Sequence, residues 1–524
     1  MKRKRHSPEE IIRKLRQADA ELAAGQPYPD TTTFTYDARH RLIRETRVRE
    51  GTPEHPERGG SWWQATGSPG RPDSEPQTLY DLEYQYDAMG NRWLKYDRLH
   101  YRSTVYTYDT EFADPNALKY PTRNNRLLQT YETGPGGGRT VWYSYLDNGD
   151  VAHITLKDHG YDLYRDLYLV YGENGLLWLA IWQEWTHDPN DANCPQWPPS
   201  WQWPKRLRVT DAWEFRYDSG RERYLARHWR TRDPNDPNAI GKDPSQWVPL
   251  GSSWTDYLAE QPYVDFQVAL DPNNVPEAIE QTRWLPGLGI HAGQTIDGQT
   301  NPVRYLHGDL IGSTLMTTDQ LGEPVSYQVG GQGGPVVSSV GYTAFGELVI
   351  EWTDDQGQLH CQVGGELPAE PGGVGVSPVN RYWYAGAWGY ETGGVPAEPG
   401  SPPGSDPNRG IIALHGPDPD LPPITLMHVG HRWYDPATGR FIQRDPLGLF
   451  GGLNVYRYCL NNALGRVDPL GLAWDWGEFA DYVATGAAAG AVGGALEGGA
   501  GWLPGLIGGA AAGAAAYGAH CVIE

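Results

Sequence analysis

The residues of this 524-residue chain best suited to chemistry are its acids, which recur in a few short contexts. Two Asp-Pro-Asn-Asp runs, at 188–193 and 233–238, are superficially like calcium loops, in which oxygen ligands surround a hard cation. Neither has the alternating acid spacing, the central glycine or the terminal glutamate that such a loop needs, and both read as Asx-Pro turns. Two Asp-Pro-Leu-Gly stretches, 445–448 and 468–471, begin 23 residues apart. By spacing alone they are bends, because Asp bonds to its own backbone and Gly accepts the positive φ of a tight turn. The cysteines Cys194, Cys361, Cys459 and Cys521 are scattered without a CxxC pair, which points to neither a disulfide framework nor a zinc site. His307, His428 and His431 read as packing residues. No metal and no cofactor is expected.

The elements that would carry these residues are strands. Gly 65, Pro 43, Tyr 32 and Trp 22 favour many short strands and tight turns over long helices. A loose repeat starts near residue 31: FTYDARHRLIRE (34–45), YQYDAMGNRWLKYD (84–97), YTYDTEF (106–112) and FRYDSGRERY (215–224). Alternating aromatic and polar residues make a strand, and Asp with Gly turns it into the next. Pairs such as Tyr36-Asp37 and Tyr86-Asp87 are therefore architectural. Repeats of about twenty residues joined by hairpins build an extended, coiling sheet. A Trp/Pro-rich stretch, 184–208, interrupts the pattern, and the Pro/Gly-rich block 394–423 reads as a surface loop. The formal net charge of −22 argues against nucleic acid as a partner, since phosphate binding needs basic residues in excess. The basic N-terminus lacks the apolar stretch of a secretory signal.

Residues 1–27 stand apart. Ser7 and Glu10 form a capping box with Pro8 at the first helical position, and Ile11, Ile12, Leu15 and Leu22 share one helical face up to Gly25. The string MKRKRHSPEEIIRKLRQADAELAAGQ (1–26) resembles the start of IS3-type transposases, but no recognition helix follows, so it reads as an insertion scar. A more specific resemblance covers 301–472. RYLHGDLIGSTLMTTDQLGE (304–323), YTAFGE (342–347), RYWYAGAWGYETG (381–393) and GHRWYDPATGRFIQRDPLGLFGGLNVYRYCLNNALGRVDPLGL (430–472) resemble the Rhs repeat-associated core of Rhs/YD-repeat proteins of the polymorphic-toxin type. The earlier repeats resemble YD repeats more weakly. The organisation expected is a helical scar (1–27), degenerate YD repeats (28–300), the core (301–472) and a variable tail (473–524). The fold expected is a mainly β, antiparallel shell or partial cocoon, truncated relative to the family, and the resemblance implies a secreted or cell-surface setting.

The resemblance also implies an activity: autoproteolysis by an aspartic-type pair just after the DPxGL sequence. Carried over, the pair is Asp445 and Asp468, and the bond cut lies between Leu472 and Ala473. Two carboxylates close together cannot both ionise, so one keeps its proton. The ionised member can activate water while the protonated one donates to the peptide. Arg444 beside the pair would hold a carboxylate or offset developing charge. A tethered substrate needs only one turnover.

The tail repeats glycine every fourth position, at Gly486, Gly490, Gly494 and Gly498, then Gly501, Gly505, Gly509 and Gly513. That spacing permits close helix approach, so 483–519 is either a membrane-contacting hairpin, a packed soluble hairpin or a degenerate tail, with Glu497 and Pro504 as breaks. His520 is the tail's only histidine, and no nuclease-like cluster is present. The partners implied are the chain's own tail as tethered or enclosed cargo, an immunity protein and a secretion machinery. Two other readings stay open: a non-catalytic, carbohydrate-contacting surface protein whose Trp and Tyr act as stacking platforms, and an inactive gene remnant.

Overall fold

The computed structural model describes residues 30–49, 77–110, 122–134, 137–161, 163–186, 206–231, 247–258, 261–270, 276–285, 287–292, 303–328, 336–354, 358–364, 381–391, 412–414, 424–448 and 453–472. The helical scar, both Asp-Pro-Asn-Asp runs, the tail, and most of 184–208 and 394–423 lie outside the described residues. Within them the chain is almost wholly antiparallel strand and contains no α-helix.

Eighteen strands, from Asp30–Tyr36 to Thr314–Thr318, form one sheet in which each strand pairs with its neighbour in the chain. The Tyr-Asp repeats supply several of its turns by one device. Asp87 Oδ1 accepts the N–H groups of Met89 and Asn91, both at 2.8 Å, and Gly90 takes φ +80°. Asp309 and Asp319 repeat this with Gly312 and Gly322. Where glycine is missing, His40 after Asp37 and Arg221 after Asp218 enter the left-handed region instead. The carboxylate thus replaces backbone partners that the turn cannot supply.

The alternation buries one face. In the strand Gln77–Tyr86, Tyr80, Leu82 and Tyr84 point to that face and are buried. What they meet comes from residues 340–472. Tyr80, Leu82 and Tyr84 pack with Phe345, Tyr384, Tyr434, Phe441 and Tyr458. Further along the sheet Ile154, Leu156, Leu177 and Phe215 pack with Ile412, Leu426, Trp433 and Ile442. Fully enclosing a side chain such as Leu82 or Ile154 contributes about 1.5–3 kcal/mol. Polar ties cross the same boundary: Lys95 to Glu347 at 2.5 Å, Arg49 to Glu351 at 2.5 Å, and Arg440 to Asn91 at 2.8 Å. The late part of the chain is thus a plug against the inner face of the early part. It carries two small sheets, Gly341–Tyr342 with Leu348–Thr353 and Leu359–Val363, and Ile412–Leu414 with Ile424–Val429, Arg432–Asp435 and Arg440–Phe441.

Candidate active site

The site is built on a two-residue hairpin. Ile424–Val429 and Arg432–Asp435 pair with Val429 opposite Arg432, leaving Gly430 and His431 as the loop. Gly430 has φ +51°, and a Cβ there would sit on the carbonyl of Leu470. Gly471 has φ +62°, and a Cβ there would press on the Val429 carbonyl. Both glycines are needed because the segment 468–472 lies backbone to backbone against this hairpin. His431 N–H donates to the Leu470 carbonyl at 2.8 Å, and Arg432 Nε–H donates to the Gly471 carbonyl.

Asp445 and Asp468 come together here, through Arg432. One nitrogen of its guanidinium, Nη2, lies 3.1 Å from Asp445 Oδ2 and 3.2 Å from Asp468 Oδ2. All three side chains are buried. The Phe441 ring lies 3.6 Å under the guanidinium carbon, and Nη1 donates to the Val455 carbonyl at 3.3 Å, so its plane is fixed. Asp445 is held by its N–H to the same Val455 carbonyl at 2.9 Å. The Asp468 N–H donates to the Tyr390 hydroxyl at 2.6 Å.

Both aspartates also use the turn device of the repeats. Asp445 Oδ1 accepts the Leu447 N–H at 2.9 Å with Gly448 at φ +61°, and Asp468 Oδ1 accepts the Leu472 N–H at 2.9 Å. The bend reading of Asp-Pro-Leu-Gly and the close approach of the two acids are therefore both present. Burial pushes the Asp468 carboxyl up to about 7. Arg432 and the Leu472 N–H oppose that rise, and the Asp445 charge adds to it. With one cation between them, two ionised acids would leave a net buried charge, and a proton on Asp468 removes it.

Arg444, expected beside the pair, is exposed instead, and Arg432 occupies the place foreseen for it. The reason is local: along 443–445 the chain alternates buried, exposed, buried, so the neighbour of Asp445 in sequence faces away from it. Leu472 is buried at the end of the described residues, and Ala473 lies outside them. His307 is buried with Nε2 3.0 Å from Thr318 Oγ1; His428 is buried 3.6 Å from Glu391; and the His431 ring lies 3.5 Å from Arg221. Cys361 and Cys459 are free thiols, and among the described residues no cluster of His, Cys, Asp or Glu could hold a metal ion. No described helix is long and apolar enough to cross a membrane. Two of the exposed tryptophans, Trp178 and Trp254, are already faced by Arg216 and Tyr224.

No protein-family model matches the chain. Curated relatives match over short stretches. Double-stranded DNA deaminase toxin A of Burkholderia cenocepacia is 62% identical over 42 residues, 8% of this chain and 3% of its own length. The probable deoxyribonuclease RhsB of Dickeya dadantii is 52% identical over 42 residues, again 8% and 3%. The chain thus spans only a small fraction of the relatives it matches. The solved structure of TcdB2–TccC3–Cdc42 gives a TM-score of 0.25 at 15% identity, over 84% of this chain and 20% of that one. Together with the Tyr-Asp hairpins and the 430–472 segment, these short sequence matches support an Rhs-repeat protein.

Proposed function

We propose that the chain is a delivery shell of the Rhs toxin type that cuts itself once, between Leu472 and Ala473, and so frees residues 473–524 as its cargo. What supports this most is the buried Arg432–Asp445–Asp468 cluster, with Asp468 already hydrogen-bonded to the Leu472 N–H. In this reading Asp445, beside Arg432, is the base of the pair and takes a proton from a water molecule whose oxygen adds to the Leu472 carbonyl carbon. Asp468, carrying its proton, gives it to the Ala473 nitrogen as the C–N bond breaks. The products are a carboxylate at Leu472 and a new amino terminus at Ala473. Arg432 offsets the negative charge that develops, and its Nε–H grip on the Gly471 carbonyl orients the segment. The cut is intramolecular, so the acids act at high effective concentration and turn over once. The toxin names of the relatives favour a cargo that acts elsewhere, with an immunity protein and a secretion machinery as its partners; membrane contact by 483–519 belongs to the same proposal.

Intact mass spectrometry of the expressed chain tests it. A released fragment beginning at Ala473 is expected, absent in Asp445→Asn and in Asp468→Asn, which keep shape and lose the acid. Fragments starting at Pro446 or Pro469 instead are acid breakage of Asp-Pro bonds. A wild-type chain that folds and stays whole, or Asn variants that still cut at Leu472, would overturn the proposal.

A further inference from the structure

Two turns of the shell grip the core within one residue of the acid–arginine cluster. The first is 146–150, between strands Gly137–Tyr145 and Val151–Asp158. Its Gly149 carbonyl accepts from the Tyr456 hydroxyl at 2.6 Å, and the Val151 N–H donates to the Ile442 carbonyl at 2.9 Å. Between these contacts, buried Asp150 accepts the Arg444 N–H on Oδ1 at 2.9 Å, and its Oδ2 is held by Asn148 Nδ2 at 2.8 Å. Gly149 has φ +100°, and a Cβ there would come within 2.8 Å of the Tyr456 hydroxyl, so the turn is fitted to this seat. The second grip is the Gly175 carbonyl, which accepts from Gln443 Nε2 at 2.9 Å. Gln443 Oε1 in turn accepts the Trp433 N–H at 2.7 Å. One turn therefore fixes the residue before Asp445, and the other, through Gln443, fixes the residue after Arg432.

We propose that these turns are a checkpoint on the cleavage described above, on which this inference rests, and that Asp150 is its positioning residue. The backbone carrying Asp445 is held in register with Arg432 and Asp468 only once the shell has closed on the core. An unfinished shell then keeps its tail. Asp150 touches no reacting atom and acts through the Arg444 N–H. An aspartate here lends two acceptors, and an asparagine would keep the one to the Arg444 N–H while giving up the one to Asn148.

The test uses the full chain, taken from denaturant into buffer, with folding followed by tryptophan fluorescence and release of 473–524 by intact mass. A misplacement on the order of 1 Å costs about 100-fold in rate, so Asp150→Ala is expected to slow cleavage by at least about tenfold while still folding. Asp150→Asn is expected to restore the rate to within about threefold, because its amide oxygen still accepts the N–H. If folded Asp150→Ala cuts at the wild-type rate, the checkpoint is wrong and the cleavage proposal stands. If Asp150→Asn is as slow as Asp150→Ala, an acceptor for the Arg444 N–H is not what matters and the positioning role is wrong. If Asp150→Ala does not fold, Gln443→Ala carries the question: slowed cleavage supports the checkpoint and unslowed cleavage overturns it. A wild-type chain that never cuts removes the cleavage reading first, and the checkpoint with it.

Discussion

Cleavage is expected to slow as pH rises through about 7. Burial lifts the Asp468 carboxyl from 3.8 to about 7, so below that pH it carries the proton that the leaving nitrogen requires, and above it the proton is lost. If Asp468 is the acid, the competent fraction falls about tenfold for each further pH unit, reaching roughly one hundredth near pH 9, or about 2.7 kcal/mol of added barrier. The chain is diluted from denaturant into buffers from about pH 6 to 9. The rate of tail release is divided by the rate and extent of folding read from tryptophan fluorescence. Asp468→Asn gives the zero line. A rate that climbs with pH through 7 would mean that Asp468 works ionised, as the base, and would refute the assignment of roles. A rate indifferent to pH over this range would show that its proton does not take part.

Gly430→Ala puts a methyl group on the Leu470 carbonyl and forces a non-glycine residue to φ +51°. About 1–2 kcal/mol for the backbone and a similar loss from the two hydrogen bonds to 470–471 give a destabilisation of about 2–4 kcal/mol, with cleavage slowed on the order of 100-fold; urea melts and mass spectrometry read the two. Glu45, wholly buried between the Tyr84 hydroxyl and the Ala344 N–H, is pushed by burial from 4.5 up to about 7. Its folded pKa is raised, so its contribution is fully present below about pH 4.5 and is lost as pH rises through 7. Wild type should lose about 2.5 kcal/mol more than Glu45→Gln between pH 5 and pH 8.5, and parallel stability curves for the two would contradict this.

The Tyr-Asp hairpins were readable because each declares itself twice, by a two-residue alternation and by an aspartate with a left-handed residue three places on. The plug was harder to read, since the partners of Tyr80 and Leu82 lie more than 250 residues away and no local pattern encodes that contact. At the site, the resemblance pointed to two acids that the structure brings to one arginine, but the arginine it suggested was the sequence neighbour. Arg432 gave a signal that could have found it. It opens the strand Arg-Trp-Tyr-Asp, whose adjacent aromatics fill both faces and so mark a strand covered on both sides, as the structure shows it, and a charge in such a strand needs a buried partner. Asp150 had no comparable mark, because an Asn-Gly-Asp turn looks like any other hairpin until its far side meets another element.

The meander has a consequence for how the protein is made. Each strand bonds to the strand before it, so contacts within the sheet have low contact order, and hairpins can form one after another as the chain leaves the ribosome. The contacts that cover the sheet are of the opposite kind: Glu347 reaches back 252 residues to Lys95, and Arg440 reaches back 349 to Asn91. At synthesis rates of about 5–20 residues per second, the apolar inner face of the early strands waits on the order of ten seconds or more for the plug. During that interval it is a surface for aggregation, and a chaperone able to hold a half-lined sheet is expected to raise the yield of folded chain.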